Sequence, residues 1–585
     1  MTASRVFVAG VVVLMSAGCP PPSSTGDAGT AGGGNATGGG NATGGGNATG
    51  GGNSASPGGP VVLFTDLTSG PNTGGENGAG AWVTLFGQNF GATQATSTVT
   101  IGGGAVAVKS WSTTRIVVQL GSQAATGAIV VTVGGVTSNT DRSFTVRPGS
   151  IRCVAPSGAD TASGVFPACW RTVSHAVHSA DFAPGDVVYV RAGVVTEGAD
   201  PFTAAGGDGT LSIRRAPPQQ PGTAALPLAL VAWPGEVVTI GAATDPTAIE
   251  VKNYSDENAH FFTIANFVIR GVTALGVSGG AGGNRGWRVV GNDISCPNFI
   301  SATGDSGPGS DACVEFDLSD GVVFLGNRVH DVASNTNPSK LGHAVYFSTD
   351  SNRVEVGWNE IGPSAACRGV QFHSSPISSG DGTGNQQFDL SVHDNFIHDV
   401  RCDGINFATV DPSKGRVEAF NNVLVRVARG PAPDDAAGAG YAGVYFAQIL
   451  NAGSACSGTC AARVFNNTFF AVGNTADPGN LDQAALVVGD GPVTVTFINN
   501  LVDQPTPLRP LGGTGTIACN TNLFHGASAG AGCTGSLTAD PQFVAAPADL
   551  HPGPSSPARG AGVVSVCPAL DRDGVPRTAC NLGAF

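Results

Sequence analysis

Between residues 292 and 524 the chain repeats one short phrase eight times: an Asn, any residue and an apolar residue, closing a run of Val, Ile and Phe. It reads Asn292-Asp-Ile294, Asn327-Arg-Val329, Asn359-Glu-Ile361, Asn395-Phe-Ile397, Asn422-Val-Leu424, Asn467-Thr-Phe469, Asn500-Leu-Val502 and Asn522-Leu-Phe524. Copies recur at roughly twenty to forty-five residues, an elastic period, and the alternation around each Asn turns one face inward. Short strands that coil and stack have this pattern. A sharp turn between them asks for a residue that tolerates left-handed backbone angles, and Asn is the commonest after Gly. Stacking places each Asn above the last, where amides can hydrogen-bond along the stack as in cross-β ladders. The Asn column is expected to be structural.

A second set of strands stands upstream of the Asn strands: Val314-Glu-Phe316, Val345-Tyr-Phe347, Val370-Gln-Phe372, Ile405-Asn-Phe407 and Val444-Tyr-Phe446. Their apolar residues share one parity and should stack inside, with the middle residue pointing out. Parallel strands stacked two or three per turn make a right-handed parallel β-helix.

Charged residues are only 12% of the chain and Gly numbers 88, a profile of turn-dense all-β structure in which helix is expected to be scarce. A net charge of -14 over 585 residues, with no Lys/Arg cluster, argues against nucleic acid as a partner. Thirteen cysteines imply an oxidising compartment. Setting aside Cys19, sequence neighbours suggest the disulfides Cys153 with Cys169, Cys296 with Cys313, Cys367 with Cys402, Cys456 with Cys460, Cys519 with Cys533, and Cys567 with Cys580. A metal site at Cys456-Ser-Gly-Thr-Cys460 is the rival reading, but no second Cys or His pair at ligand spacing accompanies it.

Residues 1–19 carry Arg5, the apolar run Val6 to Met15 and then Ser16-Ala-Gly-Cys19, the layout of a secretory signal too short to span a bilayer. The small residues before Cys19 resemble a bacterial lipobox, in which the Cys is lipidated and becomes the mature N-terminus. Ser16 departs from the Leu preferred there. Pro20 follows, not the Asp of an inner-membrane retention signal. That resemblance implies an outer-membrane or cell-surface lipoprotein. Residues 20–60, with the hexamer GGGNAT repeated from Gly32, have nothing to bury and read as a flexible tether.

Residues 61–148 alternate in strands such as Trp82–Phe86, Thr98–Ile101, Arg115–Leu120 and Ile129–Val133, the pattern of a small antiparallel sandwich. Val-Thr-Leu-Phe-Gly-Gln-Asn-Phe-Gly over 83–91, with Ile101-Gly-Gly and Trp111-Ser-Thr-Thr-Arg-Ile116, resembles the IPT/TIG immunoglobulin-like family, which implies a spacer or binding module. Residues 150–585 resemble pectate-lyase-like β-helices. Cys153 to Asp160, Trp170 to Val177 and Pro184 to Gly193 look like the opening coil with its capping helix, whose apolar face is Val173, Ala176 and Val177. Asp540-Pro-Gln-Phe-Val544, Asp571 to Arg577 and Gly583-Ala-Phe585 resemble the closing segment of choice-of-anchor surface proteins, expected to cover the far end. The fold class is thus all-β: an Ig-like sandwich followed by a right-handed parallel β-helix.

A β-helix offers chemistry on its outside. The triplets align Glu315, Tyr346, Gln371, Asn406 and Tyr445 in one outward column, and Asp317, Ser348, His373, Ala408 and Ala447 in a second. This surface is expected to be an open, solvent-facing groove that stacks against and hydrogen-bonds an extended sugar chain; ordinary solvated polar residues are the bland alternative. Lys340 and His343 should lie at its rim. Lyases of this fold need a base beside a uronate carboxylate, a cation for the enolate and an acid for the leaving oxygen. Lys340, His343, Tyr346 and His373 are suitable catalytic types, and Arg368 could hold a carboxylate bidentately, beside Glu315, Gln371, Asn406 and Tyr445. The resemblance also implies calcium, for which Asp305, Asp311, Glu315 and Asp317 cluster in sequence, though without a fixed-spacing loop. His330-Asp331 and His398-Asp399 follow the Asn turns of two coils and read as turn features. Two functions remain open: a lyase or epimerase acting on an acidic polysaccharide, and a non-catalytic adhesin or stalk that binds glycans or a protein partner.

Overall fold

The computed structural model describes residues 58–193, 209–215, 218–252, 259–278, 283–299, 312–333, 341–374, 385–430, 441–450, 456–473, 483–504, 509–526 and 532–585. Cys19, the signal-like segment and the GGGNAT repeats lie outside them, as do Asp305, Asp311 and Lys340. Among the described residues no helix is long and apolar enough to cross a membrane.

Three long parallel sheets form the second domain. Sheet I runs through twelve strands from Ile151–Val154 to Ile517–Asn520, sheet II through ten from Thr239–Ile240 to Leu523–His525, and sheet III through ten from Gly209–Ser212 to Leu511–Gly513. Each coil contributes a strand to every sheet over most of the stack, and every pairing within the three is parallel and in register, as in Ile264↔Val289, Ile294↔Val329 and Val345↔Val370. This is the expected parallel β-helix. Its interior is a continuous apolar column. One line of it stacks Phe316, Phe347, Phe372, Phe407 and Phe446 at centroid spacings of 5.6, 5.1, 5.3 and 4.8 Å. At the N-terminal end the helix Val173–His178, capped by Thr172, buries Val173, Ala176 and Val177 as expected.

The eight Asn residues lie in the turn from sheet I to sheet II, each at most 2% exposed. Each carbonyl oxygen from Asn327 to Asn522 accepts from the main-chain N–H and the amide of the Asn one coil earlier, at 2.8–3.2 Å. Each amide also donates backward to a strand carbonyl, such as Asn327 to Val289 and Asn395 to Val356, both at 2.9 Å. An amide inside the run therefore uses both of its donors and both lone pairs. The left-handed angle expected of these Asn residues belongs instead to the residue before each one: Gly291, Gly326, Trp358, Asp394, Asn421, Asn466, Asn499 and Thr521 have φ between 49° and 68°. The tight bend is made one position early, which leaves the ladder Asn in line with its strand.

That left-handed column is also where other parts of the chain dock. The sandwich has a four-stranded sheet (Val61–Thr65, Trp82–Gln88, Arg115–Gln119, Ala107–Trp111) facing a second sheet that includes Thr98–Ile101, Gly127–Val133 and Ser143–Val146. It lies along the outer face of sheet I, not strung out as a spacer. Phe64 stacks on Trp358 at 5.2 Å, the Tyr189 hydroxyl donates to the Trp82 carbonyl at 2.7 Å, and Asn266 bridges Asp66 and Arg115. A Cβ at Gly291 would stand 2.7 Å from the Phe86 ring, and one at Gly326 2.4 Å from Phe64. Glycine is therefore needed twice over there, for φ and for the approach of the aromatic rings.

Farther along the same column Asn421, Asn466 and Asn499 donate to the carbonyls of Leu570, Asn581 and Val563. Phe585 and Leu550 pack on Val423 and Val425. The closing segment, expected over the far end, thus lies mainly along the flank; among the described residues Thr534 and Leu537 bridge to the last coil, and Ser536 accepts from the Asn522 N–H. All six disulfides pair as expected from the sequence: Cys153–Cys169, Cys296–Cys313, Cys367–Cys402, Cys456–Cys460, Cys519–Cys533 and Cys567–Cys580.

Replacing one ladder residue strands donors on the coil below it. Asn395→Ala removes the acceptor of the Asn359 N–H and amide. Equilibrium urea unfolding should register a loss of about 2–4 kcal/mol, the cost of buried groups left unpaired; a loss below about 0.5 kcal/mol would show the ladder to be incidental.

Candidate functional site

The outward column on sheet III is in register as expected: Glu315 pairs with Tyr346, Tyr346 with Gln371, Gln371 with Asn406, and Asn406 with Tyr445, while Ser348 pairs with His373. The strands Ala312–Asp317, His343–Ser348, Arg368–His373, Ile405–Phe407 and Ala442–Phe446 carry it. Val345, Phe347, Val370 and Phe372 point into the core, and strict alternation sends Tyr346 and Gln371 the other way.

The expected open groove is not what these side chains make. Tyr346 is 8% exposed, Gln371 5%, Arg368 6%, His343 2% and Asn406 1%; Glu315, Asp317, His373, Tyr445 and Ala447 are half-buried. The side chains close on one another. The His343 ring meets Tyr346 edge-on at 4.7 Å, and the Tyr346 hydroxyl lies 3.2 Å from His373 Nδ1. His343 aligns with Arg368 on the next coil. Arg368 Nε donates to Asp403 Oδ2 at 3.2 Å, and the same oxygen accepts from Asn406 Nδ2 at 2.8 Å. Asp403 Oδ1 accepts from the Ala442 N–H at 3.1 Å. The disulfide Cys367–Cys402 ties together the two segments from which Arg368 and Asp403 project.

Three polar atoms in this buried cluster lack a partner: His343 Nδ1, Gln371 Oε1 and Asn406 Oδ1. Unpaired buried atoms are costly, and here three stand on neighbouring strands of one sheet. Burial and then the Arg368 charge push the His373 imidazole down to about 4. Burial, with Arg368 and His373 behind it, holds His343 well below the usual histidine range. Burial also raises the Asp403 carboxyl, against the opposing pull of Arg368. At neutral pH the cluster thus joins two neutral imidazoles, a phenol, two amides and a compensated guanidinium. It can exchange a proton between Tyr346 and His373 and can hydrogen-bond a polar ligand.

Lys340 and Asp311 fall outside the described residues. Of the carboxylates expected to hold calcium, Glu315 and Asp317 share a strand, and burial pushes Asp317 up to about 6. Among the described residues no group of three His, Cys, Asp or Glu is arranged for a metal ion. Asp305 and Asp311, the other carboxylates expected to hold calcium, lie outside the described residues. Asp403, the hub of the cluster, was missed from the sequence; its one signal is its place three residues before the outward Asn406. His330 and His398 do act as turn residues, each with Nδ1 on the next Asp at 2.7 and 2.9 Å.

The depressed His373 value fixes a pH dependence. Between about 6.5 and about 4 the unfolded chain binds a proton at this ring that the folded chain does not, so its contribution to stability falls as pH falls through that window. His373→Gln should flatten the unfolding free energy over that range, measured by urea titration at stepped pH; an unchanged slope would place the ring in contact with water.

Residues 65–146 match the IPT/TIG domain family. A search of curated proteins finds no match for the chain. Among solved structures it is similar to pectate lyase Pel9A, at 12% identity and a TM-score of 0.36 over 75% of this chain and 96% of that one. It is also similar to alginate lyase from Paenibacillus sp. str. FPU-7 (13%, TM-score 0.34, 63% and 96%) and to GH136 lacto-N-biosidase from Eubacterium ramulus (12%, TM-score 0.36, 66% and 65%). Likeness this slight carries no argument about chemistry, and the coil stands on its own strand registers. Residues 65–146 are an IPT/TIG domain packed on the flank of a parallel β-helix.

Proposed function

We propose that the sheet III column engages an acidic polysaccharide and cleaves it by β-elimination. The observation that carries this reading is the Tyr346–His373 pair, neutral and desolvated, set in register beside the amides of Gln371 and Asn406 and the guanidinium of Arg368. His373 takes the proton beside the uronate carboxylate. The Arg368 guanidinium stabilises the charge that gathers on that carboxylate as the carbanion forms, and the unpaired Gln371 and Asn406 carbonyl oxygens accept from sugar hydroxyls. Tyr346 gives its proton to the departing glycosidic oxygen. The C–H and C–O bonds break, a C=C bond forms in the product, and the proton on His373 returns to Tyr346, so the enzyme ends as it began. His343 positions the Tyr346 ring.

The test is release of unsaturated product, read by ultraviolet absorbance, on a panel of uronate polymers. The full-length protein should be active on at least one. Tyr346→Phe should lower kcat about 10²–10⁴-fold, the range for loss of a proton donor, with binding within a few-fold of the parent. Binding without turnover by the parent would favour the adhesin reading, for which the burial of Asn406 and His343 speaks.

We further propose that the chain is held at an outer membrane or cell surface by a lipid on Cys19. The support is the sequence alone, small residues before Cys19 and a Gly-rich tether after it. Cys19→Ala should abolish lipid labelling and membrane retention in fractionated cells; retention by the variant would overturn the anchor.

A further inference from the structure

On the outer face of sheet I, where the sandwich, the closing segment and the coil meet, one buried histidine joins two carboxylates. His393 ends the strand Leu390–His393 and is 6% exposed. Its Nδ1 lies 2.8 Å from Asp394 Oδ2, and its Nε2 lies 3.2 Å from Oε1 of Glu355, a residue of the preceding coil. A neutral imidazole has one N–H, yet both ring nitrogens face carboxylate oxygens, which only accept. Two donors are required, so the ring is an imidazolium. Burial works against that charge, but hydrogen bonds to Asp394 and Glu355 raise the ring to about 9. Burial likewise opposes the charge on Glu355, whose carboxyl the His393 hydrogen bond nevertheless holds below its usual range.

Each carboxylate is a step in an attachment. Asp394 Oδ1 accepts from Asn421 Nδ2, and Asn421 donates to the Leu570 carbonyl and accepts from Arg577 Nη2, all at 3.0 Å. Arg572 and Arg577 of the closing segment both feel the Asp394 charge, and Arg572 also faces Asp573, Glu360 and Asp571. On the other side Glu355 feels Arg142 of the sandwich and Arg288, which donates to the Thr65 carbonyl at 3.0 Å. Trp358 meets the His393 ring edge-on at 4.7 Å and stacks on Phe64 of the sandwich. The four guanidinium groups offset the two carboxylate charges. Among the described residues, however, only the ring donates to Asp394 Oδ2 and Glu355 Oε1.

We propose that His393 is a pH-sensitive latch that fastens the closing segment to the flank of the coil and releases it in alkaline solution. A deprotonated ring keeps one N–H and turns a lone pair on the other buried carboxylate, which is pushed away and pulls on the attachment it belongs to. The ring binds its proton more tightly docked, at about 9, than in solvent, at about 6.5. The latch is therefore fully closed below about 6.5 and lost as pH rises through about 9. Release bares Val423 and Val425, on which Phe585 and Leu550 now pack. His551 bridges Asp549 and Asp573 inside the closing segment and touches neither Asp394 nor Glu355, so its own titration does not work the latch.

The experiment is hydrogen exchange of the full-length protein, read by mass spectrometry at about pH 7 and about pH 10 and corrected for the intrinsic rate. Two amides report docking: the Gly583 N–H, on the Asn499 carbonyl, and the Ala584 N–H, on Thr468 Oγ1. Between the two pH values their protection should fall on the order of a hundredfold, while that of the ladder from Asn359 to Asn422 changes less than about threefold. His393→Gln, with one donor and one acceptor like the neutral ring, should show the low protection at both pH values. Glu355→Gln offers the neutral ring an amide donor and should keep the high protection at both. Should His393→Gln not fold, Glu355→Gln decides alone. The proposal is overturned if the closing segment of the parent loses no protection relative to the ladder, if His393→Gln keeps the parent's pH dependence, or if Glu355→Gln is released at alkaline pH like the parent.

Discussion

Everything in the coil hangs on one hydrogen bond repeated: a buried Asn carbonyl that accepts two donors from the Asn below it. A turn between two strands of different sheets leaves main-chain N–H groups without a strand partner, and in a stacked coil those groups are buried. The ladder supplies an acceptor for each, and because every amide is itself saturated, nothing in the column needs water. It also sets the vertical register, since each amide reaches only the coils directly above and below. Once that register is set, the Phe316 to Phe446 stack and the outward column on sheet III follow from alternation alone.

The residue before each ladder Asn has a different use. It bends the chain in the left-handed region, so its side chain is set apart from both strands and one such position recurs on every coil. Where the residues are Gly291 and Gly326, the Phe86 and Phe64 rings of the sandwich come down on bare backbone. Where they are Asn421, Asn466 and Asn499, their amides bind carbonyls of the C-terminal segment. One structural rail thus carries two attachments, and its composition changes with what lies on it. The attachments meet: a Cβ on Gly574 would stand 2.9 Å from Leu63.

The cluster on sheet III is ordered by different means. Its polar atoms are satisfied only in part, and three are left without partners inside a site that is almost entirely buried. The Asn ladder, by contrast, is saturated inside its run.

How much of this was legible in the chain depends on whether period or contact decides it. The stacked coil, the inward Val and Phe residues, the alignment of Tyr346 with Gln371 and Asn406, and all six disulfides could be read from the sequence, because each follows from spacing along the chain or from parity along a strand. Parity says which way Tyr346 leaves the strand, but not whether water meets it there; its burial against His343 and His373 depends on neighbours from other coils. Asp403 carries no periodic mark, because it acts from a turn through an ion pair to Arg368, thirty-five residues away. The flank positions of the sandwich and the closing segment were likewise beyond reach. By itself the sequence determined the coil and its register, which local periodicity dictates; what covers each face of that coil was decided only by tertiary packing, where residues hundreds of positions apart compete for the same surface.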